Sequence, residues 1–586
     1  MPVEESKNNT LENSPSITVL LCNILCFCIF IVALLITFHD RSWMHNAFTY
    51  LSYYIILGLC VTWGLCVFNL YQYKKSNAFV FLRRNWKGIL ASFILTSLVF
   101  ISVPKYFRVL SDETNLLSVA RSMTFNKTVE NTTESRRYYE MFWPTPTSGT
   151  EKRPFLFPFF TSLLHTLLGY HIENVFILNY FALWVMLFLL YFVIQTSLGD
   201  LGAISGLILV MAQPFISLSA ASGSFEIFNF LFILGSFLAL KCFLDDPRHQ
   251  TFINLLMTLL MLANVRYESA LFLIIALLVI AVAGYVKPKF FSQSFAYALI
   301  PFFLLPLIWQ RVLLASESDS NLIGGSWVNA FQFANAQHNI VLFFKYILDA
   351  GGQLGYAGIV NIIGILAIVL CGILWSTKKR EAINKNALVL WICSVSSLLV
   401  LFAVVISYQG GINDHPLNGR FYIPVLVPLT LAPVFLLAHL VKDQKKLGVL
   451  ALVLALTAFA IYHPIAVEDR LTNNLMIIRE YRYVDDFLKK NADKNTLIVC
   501  GRPGQLIVSN YGAISYSTAN DQADTILQQF KNHLFSKIYV VQSIAYATNT
   551  PFGDNIVDPR YSLEIVSEQQ STGVYFFRIS RVKVPE

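Results

Sequence analysis

Apolar runs long enough to cross a bilayer recur from residue 17 to residue 463, broken by short polar loops. Lipid offers backbone N–H and C=O groups no partner, so a run of that length has to close its own hydrogen bonds as a helix. Soluble domains carry about 25% charged residues; this chain carries 13%, with 55% hydrophobic residues and a mean hydropathy of +0.57. The runs 17–37, 48–70, 88–104, 174–194, 201–220, 223–244, 251–265, 268–286, 292–314, 354–376, 386–408, 420–440 and 447–463 predict an all-α polytopic membrane protein of about 13 transmembrane helices. The shortest, 251–265, has to thin the bilayer or end in a polar cavity. The first is too long for a signal-peptide core, follows Glu4, Glu5 and Glu12, and lacks a small-residue cleavage site; it reads as an uncleaved span.

Basic residues orient these spans. Lys74, Lys75, Arg83, Arg84 and Lys87 follow the second run, Lys287 and Lys289 the eighth, Lys378, Lys379, Arg380 and Lys385 the tenth, and Lys442, Lys445 and Lys446 the twelfth. All four loops fall on one side, which the positive-inside bias makes cytoplasmic. The expectation is a multi-pass plasma (inner) membrane protein with a cytoplasmic N-terminus. The net charge of +8 therefore belongs to topology and signals no nucleic acid. Most cysteines lie in apolar runs, and none outside the membrane has metal or disulfide spacing. Three regions follow: a hairpin with its basic loop (1–87), a membrane core (88–463) with a large outer loop (105–173), and an extracytoplasmic tail (464–586). In the tail, 495–500, 537–541 and 573–579 read as strands and 476–490 and 521–534 as helices, a small C-terminal α/β domain.

The outer loop holds SDETNLLSVARSM (111–123), where Leu116, Leu117, Ala120 and Met123 make a short amphipathic helix. Asp112 and Glu113 open it, and adjacent helical residues point about 100° apart. One can face a cleft while the other caps or orients; the plain alternative is that Asp112 is a helix N-cap. PFLFPFFTSLLHTLLG (154–169) is too short to cross and suits an interfacial or re-entrant helix. The polar segment 126–150 between them reads as mobile unless a ligand orders it. Lys152, Arg153, Arg266 and Arg420 reach the same outer face against the inside bias, beside Glu268 and near Glu226. Each is either a headgroup anchor or an anion ligand. His165 and His338 read as structural.

One acid and several cations on one membrane face suit a lipid-phosphate sugar donor. Its leaving group is a stable anion, a phosphate monoester having a second pKa of about 6. No general acid is needed: guanidiniums hold the developing charge, and one carboxylate takes the proton from the acceptor hydroxyl. Glycoside hydrolases instead need two flanking carboxylates.

These residues resemble the GT-C glycosyltransferases related to family 39, the group of the protein O-mannosyltransferases and the aminoarabinose transferase of lipid A. That family has an Asp-Glu pair leading a juxtamembrane helix in the first large outer loop. A Lys-Pro-Pro-like segment then opens a second one, here EKRPFLFPFF, with Arg153 replacing the first proline. RYESA (266–270) and GRFYIPVLVP (419–428) are similar to the family's Arg-Tyr-Glu and Arg-x-Tyr-x-x-Pro segments, the proline here following Tyr422 one residue early. The resemblance covers roughly 88–440 and implies an inverting glycosyltransferase (a hexosyl or pentosyl transferase) acting on cell-envelope glycans. It would use a polyprenyl-phosphate-linked sugar and a glycan, lipid or protein acceptor. It implies Asp112 as the acceptor-activating base, Glu113 as secondary, Lys152, Arg153, Arg266 and Arg420 as ligands of the donor phosphate, and Tyr267, Glu268 and Tyr422 as supports. Some relatives bind a divalent cation; the only candidate ligand is Glu151. A diphosphate-donor ligase or polymerase, a lipid transporter and a scaffold remain as other readings.

Overall fold

The computed structural model describes residues 17–74, 78–138, 141–144, 148–282, 293–317, 332–352, 354–377, 416–440, 444–473, 475–571, 573–583 and four positions between 395 and 407. Apart from those four positions the expected span 386–408 lies outside these, as do the basic residues Lys75, Lys287, Lys289, Lys378, Lys379, Arg380, Lys385 and Lys442.

The helices run α1 (Ile17–His39), α2 (Arg41–Tyr73), α3 (Ala78–Arg84), α4 (Trp86–Ser102), α5 (Leu110–Phe125), α6 (Leu156–Leu168), α7 (Asn174–Met211), α8 (Pro214–Ala220), α9 (Glu226–Asp245), α10 (His249–Ala263), α11 (Leu271–Val282), α12 (Ile300–Glu317), α13 (Ala336–Ile347), α14 (Gly358–Thr377), α15 (Ile423–Leu440), α16 (Gln444–Glu468), α17 (Met476–Asn491) and α18 (Ala523–Lys531). Among the described residues, seven helices are long and apolar enough to cross a membrane, and five shorter apolar helices accompany them. The protein is a helical membrane protein with a small sheet region near its C-terminus.

Where two spans were expected, 174–194 and 201–220, one element runs from Asn174 to Met211. Gly199 breaks it with φ 67°, a left-handed conformation glycine adopts without a Cβ clash. Asp200 then accepts from Tyr191 Oη at 2.8 Å and Gln195 Nε2 at 2.7 Å, and pairs with Lys87 at 2.6 Å. The chain turns there and returns, so two passes survive within one element.

Contacts sort the loops into two ends of the bundle. At one, Lys87 meets Asp200, Lys74 meets Asp246 at 2.8 Å and Tyr297 meets His249 at 3.1 Å. At the other, Leu156 N donates to Asn264 O at 3.0 Å, Gln310 reaches Glu151 O at 2.7 Å, and Asn179 reaches Ser222 O at 2.8 Å. Both ends of α6 lie at this second end, at Asn264 and, through His165, at Asn174, so α6 does not cross.

The C-terminal sheet has the order β3-β2-β6-β5-β7-β9-β8. Its centre, β6 (Gly512–Ile514), β5 (Thr496–Val499) and β7 (Lys537–Ala545), is parallel; β9 (Tyr575–Val582) and β8 (Leu563–Gln569) continue it antiparallel. Alternation along β5 sends Leu497 and Val499 toward α18, and Ile498 toward Val484 and Leu488 of α17. Two strands come from the outer loop: β2 (Ser135–Tyr138), with β3 (Met141–Pro144) beyond it, joins the edge through Ser135 and Ala513. β1 (Glu130–Thr132) pairs with β4 (Ser148–Thr150) beside it. Within the segment read as mobile, Ser135 thus pairs with chain almost four hundred residues away, for which the segment itself carries no sign.

Candidate active site

The two acids that open α5 point different ways. Glu113 is buried and turns back on the helix start. Its Oε1 accepts from Val109 N at 3.0 Å, and its Oε2 from Arg108 N at 3.2 Å and Gly223 N at 2.8 Å. The cap position, Val109, has no capping side chain, so Glu113 ties the entry of α5 to the turn before α9. Phe107 and Glu113 leave no room for a Cβ on Gly223. Burial pushes the Glu113 carboxyl up to about 7 against the opposing pull of the Val109 and Gly223 N–H groups.

Asp112 does not cap the helix. Arg153 Nη2 holds its Oδ1 and Arg420 Nη2 its Oδ2. Burial alone raises this carboxyl; Arg153 and Arg420 more than reverse that and hold it well below the usual carboxylate range. These contacts sit within an alternating chain of charges: Glu151, Arg153, Asp112, Arg420, Glu226, Arg266, Glu268. Arg153 Nη1 is 2.6 Å from Glu151, Arg420 Nε 3.4 Å from Glu226, and Arg266 Nη1 3.8 Å from the same Glu226 oxygen. Arg266 grips Glu268 with two bonds of 3.1 and 3.2 Å. The side chains of Glu151 and Glu226 are 1% and 2% exposed, whereas Arg153, Asp112 and Arg420 keep 19%, 16% and 13%. Arg266 and Glu268 keep 10% and 12%, so Glu151 and Glu226 are the sealed members of the chain and the others keep some exposure.

Each cation is set by its own element. Gln310 of α12 donates to Glu151 O at 2.7 Å and Arg153 O at 2.8 Å, fixing the backbone that presents Arg153 shortly before α6 begins at Leu156. Arg420 stands on the 3₁₀ turn Pro416–Tyr422. Gly419 packs there against Tyr356 and Phe215 with no space for a side chain. The Phe421 ring lies between two guanidiniums, 4.6 Å from Arg266 and 5.1 Å from Arg420. Tyr422 is buried under this turn against Phe343 and Tyr346. Tyr267 stacks on Arg311 at 3.8 Å, and Arg311 reaches Lys152 O at 3.4 Å. The Lys152 side chain itself is exposed and lies outside the chain of charges.

Arg108 and Asp469 have no counterpart in the sequence reading. Arg108 is 3% exposed; it pairs with Asp469 at 3.1 Å and donates to the carbonyls of Leu218, Ala221 and Pro104 at 3.0, 2.7 and 2.7 Å. Tyr106 also bonds Asp469 and lies under the Arg108 guanidinium. This knot joins the α5 entry, α8 and the end of α16. The sequence hint was a cation just beyond Pro104; its partner is 361 positions away. Glu151, the one candidate metal ligand, is taken up by Arg153 and Asn131. Among the described residues no group of three or more His, Cys, Asp or Glu is placed to hold a metal.

No protein-family model matches this sequence, and no curated protein does. Among solved structures it is similar to ArnT from Cupriavidus metallidurans bound to undecaprenyl phosphate, over 86% of this chain and 98% of that one (10% identity, TM-score 0.46). It is similar to the Archaeoglobus fulgidus oligosaccharyltransferase tethered with an acceptor peptide, over 79% of this chain and 70% of that one (10% identity, TM-score 0.41). It is also similar to the arabinofuranosyltransferase AftD from Mycobacteria, over 86% of this chain and 40% of that one (14% identity, TM-score 0.43). Likeness at this level fixes neither a reaction nor the role of any residue.

Proposed function

We propose that this chain is an inverting membrane glycosyltransferase. It moves a sugar from a polyprenyl-phosphate donor to a glycan, lipid or protein acceptor at the extracytoplasmic face, with Asp112 as general base. The observation that carries this reading is the part-exposed Asp112 carboxylate with a guanidinium from a different segment of the chain on each oxygen. In the free protein Arg153 and Arg420 depress the basicity of Asp112. A donor phosphate entering between them competes for both guanidiniums. As they turn to the phosphate, the Asp112 carboxyl loses the charges that held it low, and its affinity for a proton rises.

The acceptor O–H then gives its proton to Asp112 while its oxygen bonds to the anomeric carbon. The bond from that carbon to the phosphate oxygen breaks, and the electron pair leaves with the polyprenyl phosphate. Attack opposite the leaving group inverts the centre. Charge moves in step: Asp112 becomes neutral as the phosphate gains negative charge, so Arg153 and Arg420 exchange one anion for another. Arg266, held by Glu226 and Glu268, is the next cation along the chain, and the exposed Lys152 borders the entrance.

Mass spectrometry of surface glycans tests this in a host strain lacking the protein. A glycan species missing from that strain is expected to return with the wild-type gene and not with Asp112→Asn. Its return with Asp112→Asn contradicts the assignment.

A further inference from the structure

A cleft of about 510 Å³ opens beside the sheet, lined by Asn473, Arg479, Arg482, Tyr483, Asp486 and Gln569, none of them a member of the chain of charges. Four of these stand at i, i+3, i+4 and i+7 on α17, a single stripe of that helix. Gln569 faces them from β8, the edge strand of the sheet. Arg482 is fixed: its Nη1 donates to Asn473 at 2.6 Å and its guanidinium lies 3.8 Å from the Tyr106 ring centre. Arg479 has no ion-pair partner among the described residues. Gln569 Oε1 is buried and accepts no hydrogen bond among the described residues.

We propose that this cleft binds an anionic oligosaccharide, the acceptor of the reaction proposed above, on which this assignment rests. Two guanidiniums suit a carboxylate or phosphate on a sugar. The amides of Asn473 and Gln569 and the carboxylate of Asp486 suit ring hydroxyls, and Tyr483 offers an aromatic edge. The volume is that of a small-ligand site. The cleft is built from the part of the chain that follows the last span, so it is open to a water-borne acceptor while the lipid donor comes from the bilayer. It is also wired to the catalytic helix. The Tyr106 ring that carries Arg482 carries Arg108 at 4.5 Å, and Arg108 N bonds Glu113, the neighbour of Asp112.

The test uses the full chain in phosphatidylcholine nanodiscs without donor, titrated calorimetrically with trigalacturonate, maltotriose and glycerol phosphate. Trigalacturonate is expected to bind at least ~10-fold more tightly than either of the others, and Arg479→Ala and Gln569→Ala each to weaken it by ~10-fold or more. No binding of trigalacturonate, or equal binding to Arg479→Ala, overturns the proposal. Equal or tighter binding of glycerol phosphate also overturns it and assigns the cleft to lipid headgroups. Because no transfer is measured, these outcomes leave the role of Asp112 to be judged separately.

Discussion

A carboxylate wedged between two guanidiniums loses its proton easily and regains it poorly, which suits a base that must stay idle until its substrate arrives. The depressed carboxyl of Asp112 has a consequence for stability. Its contribution is fully present above the unfolded value of about 3.9 and is lost as pH falls through the lower folded value. Acid unfolding of Asp112→Asn should therefore be shallower than that of the wild type below pH ~4, read by intrinsic fluorescence. The partners separate binding from chemistry. If the proposed donor site holds, Arg420→Ala should weaken donor affinity by roughly 10- to 100-fold, measured with a fluorescent polyprenyl phosphate. Arg420→Lys should restore only part of it, since one ammonium cannot face Asp112 and Glu226 as Nη2 and Nε do. Unchanged affinity in Arg420→Ala would reduce this residue to a headgroup anchor. The pairing of Arg266 with Glu268 was legible from two residues in one short motif. The knot of Arg108 with Asp469 was not, because nothing local distinguishes a cation that anchors at a membrane boundary from one that meets an acid 361 positions on.

At the level of the helix, α5 starts without a capping side chain and relies on Glu113 to collect three backbone N–H groups. Burial raises this carboxyl to about 7. The sign runs opposite to that of Asp112: stability is fully present below the unfolded value of about 4.3 and is lost as pH rises through about 7. Thermal midpoints of the wild type should fall between pH 5 and 8 by more than those of Glu113→Gln, whose amide does not titrate. Parallel curves contradict that account. The adjacency of the two acids and the 3.6-residue spacing showed the helix and the divergence of its acids. Which acid faced which way was settled only by Gly223, brought alongside by the packing of α8 and α9. In α7, length and hydropathy found both passes, and the positive φ of Gly199 marks the kink between them.

Across the whole molecule, the outer loop and the C-terminal sheet are one construction. β2 lies so close to Gly512 that an added Cβ would stand 3.0 Å from Arg137 N. Gly512→Val should push β2 off the sheet edge and open the segment around Ser135 to limited proteolysis while the bundle stays intact. A cleavage pattern like that of the wild type contradicts this coupling. Fold class could be read from apolar length. The seam at Ser135 and Ala513 could not, because three residues of strand carry too little pattern to name their partner. The central claim is that Asp112 and the donor phosphate compete for the same guanidiniums and that only Asp112 can take the acceptor proton. The most direct measurement follows donor binding and sugar transfer together on purified Asp112→Asn. The account predicts donor affinity equal to or tighter than that of the wild type, with transfer reduced by roughly 10²- to 10⁴-fold. Weaker donor binding, or transfer at the wild-type rate, contradicts it.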